Sequence, residues 1–262
     1  MPKSPAYVAY GTGRPIVLVH GYPFHSGMWS AQIAPLRKLG RVILVDLLGF
    51  GANALDGATP ATLSMDEQAD AVAAALDGLG VREPAVYVGF SMGGYVGWSM
   101  LRRHRARVGA LVMCNTRAHA DSPEAAQGRR DMAAVVESRG HGFVIDALLP
   151  KLVAPRTLDE RPDVCEAVTE MIQDAQLSAI AAAQRGMADR PDSTQLAREL
   201  DLSTLVLAGE HDAIAKRDEL EALAGSMRDA TFVEIPDAGH MTVLENTAAT
   251  NKALTDFIRA LK

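Results

Sequence analysis

Six short runs of this chain are apolar almost throughout, at residues 16–19, 42–45, 85–89, 110–113, 204–207 and 231–235. A strand with one face in water alternates apolar and polar residues. A run without that alternation fits a strand buried on both faces of a parallel sheet. Amphipathic stretches of helical length, such as 65–79 and 219–227, separate the runs. Parallel neighbours need a long crossover, usually a helix, so the alternation predicts a mainly parallel α/β sheet. Residues 7–10, followed by Gly11-Thr12-Gly13, predict an antiparallel edge hairpin. Residues 247–261 predict a closing helix, with Leu254, Phe257, Ile258 and Leu261 along one face.

The alternation breaks once. From about 117 to 190 the pattern is helical, with no convincing strand. Ser122-Pro123-Glu124 is a helix start, a hydroxyl cap followed by proline in the first turn. Further helices are expected over 142–152, 163–174 and 178–187, with Pro150, Pro155 and Pro162 as breakers. The expected organisation is therefore a core built from 1–116 and 191–262, with 117–190 inserted between two strands as a helical cap. No internal repeat or low-complexity linker interrupts it.

Length and charge narrow the function. The 262 residues fit one large domain with a modest insertion. Lys and Arg number 26 against 32 Asp and Glu, a net charge of −6, which gives nucleic acid or an anionic membrane no electrostatic foothold. The first ten residues lack the apolar stretch of a signal peptide, and no stretch approaches the ~18 apolar residues needed to cross a bilayer. A soluble, cytoplasmic protein is expected. Two cysteines, Cys114 and Cys165, are too few for a disulfide framework, and Cys114 lies in an apolar run that marks it as core. With 5% aromatic residues and 11 methionines, a pocket is expected to be aliphatic and thioether-lined.

Gly89-Phe90-Ser91-Met92-Gly93 matches G-x-S-x-G directly after the run 85–88 and before a helical segment through Tyr95, Trp98 and Leu101. Strand, sharp turn and helix hold such a serine with its hydroxyl exposed. Glycines two residues before and after leave room for the tight approach of backbone. The helix N-terminus offers free amides and a positive dipole end to a developing oxyanion. Ser91 is the candidate nucleophile.

A serine hydroxyl needs a base, and histidine titrates in the useful range. Of the seven histidines, His104 sits among arginines and reads as a solvated helix face, while His119 and His141 fall in the insertion. His25 is a loop residue, and His211 precedes the better acid candidate. His240, in Pro236-Asp-Ala-Gly-His-Met241, lies between the last strand and the last helix. Loops at the carboxyl ends of strands are where α/β sheets assemble their sites. The acid that orients His240 is expected to be Asp212, which follows the run 204–207, with Glu210 as the competitor on the same loop. Asp201 precedes that strand, Asp237 is too near His240 in sequence, and Asp218 fits a helix start. The chain order Ser91, Asp212, His240 is the α/β-hydrolase order.

His20-Gly21-Tyr22-Pro23 follows the run 16–19, where the Tyr22 amide is placed to join the Met92 amide as a pair of oxyanion donors. His20 reads as a residue that holds this loop. With the Asp46-Leu-Leu-Gly-Phe-Gly-Ala52 run, these segments resemble the α/β-hydrolase superfamily over almost the whole chain. The resemblance implies a mostly parallel eight-stranded sheet flanked by helices, with the cap inserted after strand 6. Haloalkane dehalogenases and epoxide hydrolases place aspartate at the elbow, so Ser91 points away from both. Met241 stands where hydrolases of carbon–carbon bonds often carry tryptophan. Met113-Cys-Asn-Thr116 and 185–192 add likeness to compact bacterial carboxylesterases, cofactor-free haloperoxidase-type perhydrolases and 3-oxoadipate enol-lactonases.

The expected function is cleavage of carboxylic esters, or lactones, through an acyl-enzyme, without metal or organic cofactor. Perhydrolysis or acyl transfer on the same three residues is the alternative, and a hydrolase-fold small-molecule receptor a further one. Phe24, Trp29, Phe143 and Met241 are expected either in the pocket wall or in ordinary core packing. Arg117 is expected either to meet a substrate carboxylate at the cap entrance or to be solvated. The partner is a small molecule, and oligomeric state is left open.

Overall fold

A computed structural model describes residues 6–55 and 59–261. Residues 1–5, part of the expected core segment and of the stretch weighed as a leader, lie outside the described residues, as do 56–58 and 262. Among the described residues the apolar runs become seven strands: β1 (Tyr7–Tyr10), β2 (Pro15–Val19), β3 (Arg41–Val45), β4 (Ala85–Phe90), β5 (Val108–Cys114), β6 (Thr204–Gly209) and β7 (Ala230–Ile235). They form one sheet in the order β1-β3-β2-β4-β5-β6-β7, parallel throughout except for β1 against β3. This is the α/β-hydrolase arrangement, a mostly parallel sheet flanked by helices.

The absence of alternation has the expected cause. Every residue of β2, β4 and β6 is buried, as strands in the middle of a covered sheet must be. Each fully buried Val, Leu or Ile there contributes roughly 1.5–3 kcal/mol of transfer free energy. The edge strand β7 is only partly buried along most of its length.

Two expectations are corrected. The described sheet has seven strands rather than eight, so the helical segment follows the fifth strand in chain order rather than the sixth. Residues 7–10 form no hairpin with the next strand; β1 pairs antiparallel with β3, Tyr7 opposite Val45 and Tyr10 opposite Val42. Gly11 and Gly13, at φ 79° and 94°, turn the chain so that β2 lands on the far side of β3.

Helices α1 (Ser30–Leu36), α2 (Met65–Gly78) and α3 (Met92–Arg103) connect the first strands. A reciprocal cap starts α2: the Glu67 amide donates to Ser64 Oγ, and the Ser64 amide donates to Glu67 Oε2. Between β5 and β6 lie α4 (Pro123–Leu152), α5 (Pro155–Glu160), α6 (Pro162–Asp174), α7 (Leu177–Ala188) and α8 (Thr194–Glu199). Ser122 caps α4 as expected, accepting from the Ala125 amide at 3.2 Å. The stretch 142–152 is a helix of its own, as expected: Gly140, at φ 76° and ψ −179°, leaves the helical region and splits α4 into two helices. Pro150 does not break it: it lies in the last turn, where the helix is ending anyway. Pro155 and Pro162 act as starters, each in the first turn of the next helix. After β6 come α9 (Arg217–Ser226), α10 (Thr242–Glu245) and α11 (Thr247–Ala260).

Parallel strands put their carboxyl ends at one edge of the sheet. The segments after β2, β4, β5, β6 and β7 therefore converge there, carrying Tyr22, Ser91, Asn115, Asp212 and His240.

Candidate active site

Ser91 occupies the single position between β4 and α3, at φ 50° and ψ −111°. A non-glycine residue in this region stores about 1–3 kcal/mol of strain and persists only where its surroundings hold it. Here they do. The Ser91 amide donates to the Cys114 carbonyl at 2.9 Å, and the Ser91 carbonyl accepts from Thr116 Oγ1 at 2.7 Å and from the Gly94 amide at 2.9 Å. The flanking glycines are forced by contact. A Cβ on Gly89 would lie 2.5 Å from the Gly93 carbonyl oxygen, and one on Gly93 would collide with the Val19 carbonyl of β2. Buried Tyr87 ties the turn down by donating to the Gly93 carbonyl at 2.7 Å.

Asp212 and His240 meet across two loops that are 28 positions apart in the chain, with Nδ1 2.8 Å from Oδ2. Both are buried, at 6% and 1% exposure. An ionised carboxylate only accepts, so Nδ1 carries the proton, and a neutral His240 has its lone pair on Nε2. The same carboxylate accepts from the Asn115 amide group at 2.9 Å and, through Oδ1, from the backbone amides of Ile214 and Ala215 at 2.8 and 2.9 Å. Burial pushes the Asp212 carboxyl upward, but the charge and hydrogen bond of His240, with the Asn115 and Ala215 donors, hold it below the ordinary range. The Phe90 ring packs edge-on against the His240 imidazole, centroids 5.1 Å apart.

The loop after β2 is fixed by the residue the sequence marks for that task. His20 Nδ1 donates to the Gly21 carbonyl and Nε2 accepts from the Leu47 amide, both at 2.9 Å. Burial lowers its pKa to about 4, so the ring is neutral. Asp46 braces the neighbouring segment by accepting from the amides of Ser26 and Ala52. Among the described residues neither the Tyr22 nor the Met92 amide donates to a backbone carbonyl; Met92, the first residue of α3, has no intrahelical acceptor.

Ser91 and His240 line one cavity of about 180 Å³, with Tyr22 and Ile214 beside them. From α4 and α7 come Leu148, Leu152 and Met187, an aliphatic and thioether wall. The alpha/beta hydrolase family model matches residues 16–253, nearly the whole chain.

The chain belongs to the alpha/beta hydrolase family.

Among solved structures, an esterase from Thermogutta terrifontis with malate bound is 40% identical, at a TM-score of 0.93 over 98% of this chain and 93% of that one. The enol-lactonase of Burkholderia xenovorans LB400 is 26% identical, at a TM-score of 0.87 over 97% and 96%. A pimeloyl-[acyl-carrier protein] methyl ester esterase from Chromobacterium violaceum is 29% identical over 96% of this chain and 94% of its own length. A haloalkane dehalogenase from Mycolicibacterium smegmatis is 34% identical over 115 residues, where the match spans only 37% of that protein and 44% of this chain.

The five residues weighed for substrate contact in this hydrolase lie away from the cavity. Phe24 and Trp29 are fully enclosed in the core, Trp29 edge-on to Phe90. Phe143 is half-buried under the Arg139 guanidinium, 4.5 Å from the ring centroid. Met241 is buried, its amide donating to the Leu152 carbonyl. Arg117 faces a different groove, where its Nε lies 3.1 Å from Glu219, so that carboxylate takes the charge a substrate was expected to take. None of the five lines the cavity that holds Ser91.

The other histidines have separate partners. His104 is no free solvated residue: its Nε2 lies 2.7 Å from Asp70. His141 bonds the Ala175 carbonyl, and the Glu210 carboxylate accepts from the Asp237 amide.

Several residues of the site carry no local signal. Asn115 is at φ 51°, a conformation asparagine tolerates better than most, and its Oδ1 accepts from Thr242 Oγ1. Tyr95, Arg129, Lys151 and Gln184 also line the cavity. Among the described residues no cluster of His, Cys, Asp or Glu could hold a metal ion, and no helix is long and apolar enough to cross a membrane.

Proposed function

We propose that this alpha/beta hydrolase is a serine esterase that also accepts lactones, working through an acyl-enzyme. The observation that carries the proposal is the strained Ser91, which shares a cavity with a His240 already bonded to Asp212. Ser91 Oγ attacks the ester carbonyl while His240 Nε2 takes its proton. Asp212 keeps the second proton on Nδ1 and stabilises the imidazolium. The amides of Tyr22 and Met92 receive the negative oxygen of the tetrahedral intermediate; losing one such donor typically costs about 10²–10³ in rate. His240 then gives its proton to the departing alkoxide as the ester C–O bond breaks. In the second half-reaction His240 deprotonates a water that attacks the acyl carbon, and Ser91 leaves with the proton restored. With a lactone, the alcohol stays tethered to the acyl group throughout, and water releases a single hydroxy acid.

Residues 117–190 act in this reading as a cap over the site, the core being 1–116 and 191–262. Full-length similarity to the methyl ester esterase and the enol-lactonase supports an ester or lactone substrate. A serine at the elbow separates this chain from the dehalogenases it matches in part. The test is covalent trapping. A fluorophosphonate should add one phosphonyl group per chain, located on Ser91 by peptide mass analysis, with no labelling in Ser91→Ala. Labelling elsewhere, or none at all, contradicts the mechanism.

A further inference from the structure

The cavity wall carries more donors than a neutral ester needs. Tyr22 contributes its hydroxyl, which is buried and meets no partner in good hydrogen-bond geometry among the described residues; Gln184 is the side chain close enough to interact with it, with Arg129 beyond. The residue as a whole is 8% exposed. A buried hydroxyl without a well-formed hydrogen bond is uncommon in a folded protein and asks for an explanation. Arg129 uses Nε on Asp121 at 2.5 Å and Nη1 on Gln184 Oε1 at 3.1 Å and Met187. Its Nη2 makes no hydrogen bond among the described residues.

The charge balance has one sign. Asp121 is the acid that faces Arg129, and it is shared: its Oδ1 accepts from Arg190 Nη2 at 2.8 Å. Asp192 also acts on Arg190, so the two guanidiniums stand against two carboxylates and the positive excess of the wall comes from Lys151. Lys151 adds a second cation to the wall and forms no ion pair among the described residues. No lining residue is acidic, in a chain whose net charge is −6. Arg190 is held in place by stacking over the Tyr95 ring at 4.0 Å, which keeps the cluster rigid.

We infer that Tyr22, Gln184, Arg129 and Lys151 form a subsite for a substrate carboxylate, so the preferred substrates are half-esters of short dicarboxylic acids or lactones with a pendant carboxylate. A planar carboxylate suits a guanidinium edge and a phenol donor together. A cavity of about 180 Å³ limits the spacer to a few methylenes. The inference rests on the esterase reading for its chemistry, but the subsite is measurable without turnover.

The experiment has two arms. In the first, Ser91→Ala protein is titrated calorimetrically with glutarate and with glutaramide, its neutral counterpart. Glutarate is expected to bind at least about tenfold more tightly, and Tyr22→Phe or Arg129→Met added to this background should cut that preference severalfold. Tyr22→Phe removes only a hydroxyl without a well-formed hydrogen bond, so it guards against a folding defect in Arg129→Met. In the second arm, parent enzyme hydrolyses monomethyl glutarate and methyl 5-methylhexanoate, in which an isopropyl group replaces the carboxylate. The half-ester should have the higher kcat/KM by about tenfold, and the ratio should fall toward one in both variants. Absent glutarate binding, equal affinity for glutaramide, or a preference unchanged in both variants overturns the subsite. Glutarate preference without serine-dependent turnover would leave the subsite standing and sink the esterase reading.

Discussion

Thr242 Oγ1 donates to Asn115 Oδ1 at 2.8 Å, joining two residues 127 positions apart behind the Asp212–His240 pair. The bond fixes which way the Asn115 amide points, so its Nδ2 must face Asp212. Thr242 is anchored in turn, its carbonyl accepting from Thr250 Oγ1 at 2.9 Å. Asn115→Ala leaves the carboxylate one donor short and frees its tilt. A lost hydrogen bond to a charged group is worth about 1.5–3 kcal/mol, so kcat should fall roughly ten- to a hundredfold with KM little changed. Steady-state kinetics on any accepted ester checks this, and a pure KM effect would place Asn115 in substrate binding instead.

Glu245 fastens the His240 loop to the segment after α4. Its Oε1 accepts from the amides of Gly239 and Met241, and its Oε2 from the Ala154 amide and the Thr157 hydroxyl. Glu245→Gln replaces one acceptor oxygen by a donor that faces two other donors. Destabilisation of about 2–4 kcal/mol is expected from two unsatisfied buried groups, together with a lower kcat. Urea unfolding measures the first and ester kinetics the second. A midpoint within error of the parent would remove Glu245 from this role.

Acid should weaken the fold earlier than its carboxylates alone would allow. The buried His20 ring has a pKa near 4 against 6.5 for the free side chain. Between those values the unfolded chain binds a proton that the folded one refuses, so stability falls as pH drops from about 6.5 to 4. The loss is on the order of 2–3 kcal/mol by pH 4.5. Asp121, with burial raising and Arg190 and Arg129 lowering its pKa to about 2, and the depressed Asp212 lose their contributions only below the ordinary carboxylate range. Unfolding free energies at pH 7 and 4.5 should therefore differ in the parent and converge in His20→Gln. An equal drop in both proteins would assign the loss elsewhere.

Two glycines should respond oppositely to alanine. A Cβ on Gly93 meets the Val19 carbonyl and stands 2.7 Å from the His20 carbonyl oxygen, both backbone atoms that cannot swing aside. Gly128, in α4, has nothing within 4 Å of the added atom. Gly93→Ala should cost several kcal/mol or prevent folding, whereas Gly128→Ala should gain up to about 1 kcal/mol. Thermal unfolding of the pair is sufficient, and a stable Gly93→Ala would contradict the elbow packing.

The parts of this molecule legible in its sequence are those set by neighbours along the chain. Continuous apolar runs announce strands covered on both faces, and Gly89-Phe-Ser-Met-Gly93 announces a turn whose glycines touch adjacent backbone. Asp212 and His240 stand out because each follows a strand. The partner of β1 was not legible, since the choice between β2 and β3 depends on how the turn at Gly11 and Gly13 steers the chain. The cavity wall is not legible for a related reason. Phe24 and Trp29 are as useful to a core as to a pocket, and burial alone decides. Arg129, Lys151 and Gln184 reach the site from helices whose patterning reports only their packed faces. Asn115 lies in a tetrapeptide that draws attention, yet its task is defined by a carboxylate 97 positions away.

If Ser91 is the nucleophile of an ester hydrolase, hydrolysis of p-nitrophenyl esters from acetate to decanoate depends on its hydroxyl. Parent and Ser91→Ala proteins are assayed side by side. Turnover is expected in the parent with an optimum at short acyl chains, and a loss of at least about 10³-fold in Ser91→Ala. Equal activity in the two proteins would contradict this role of Ser91.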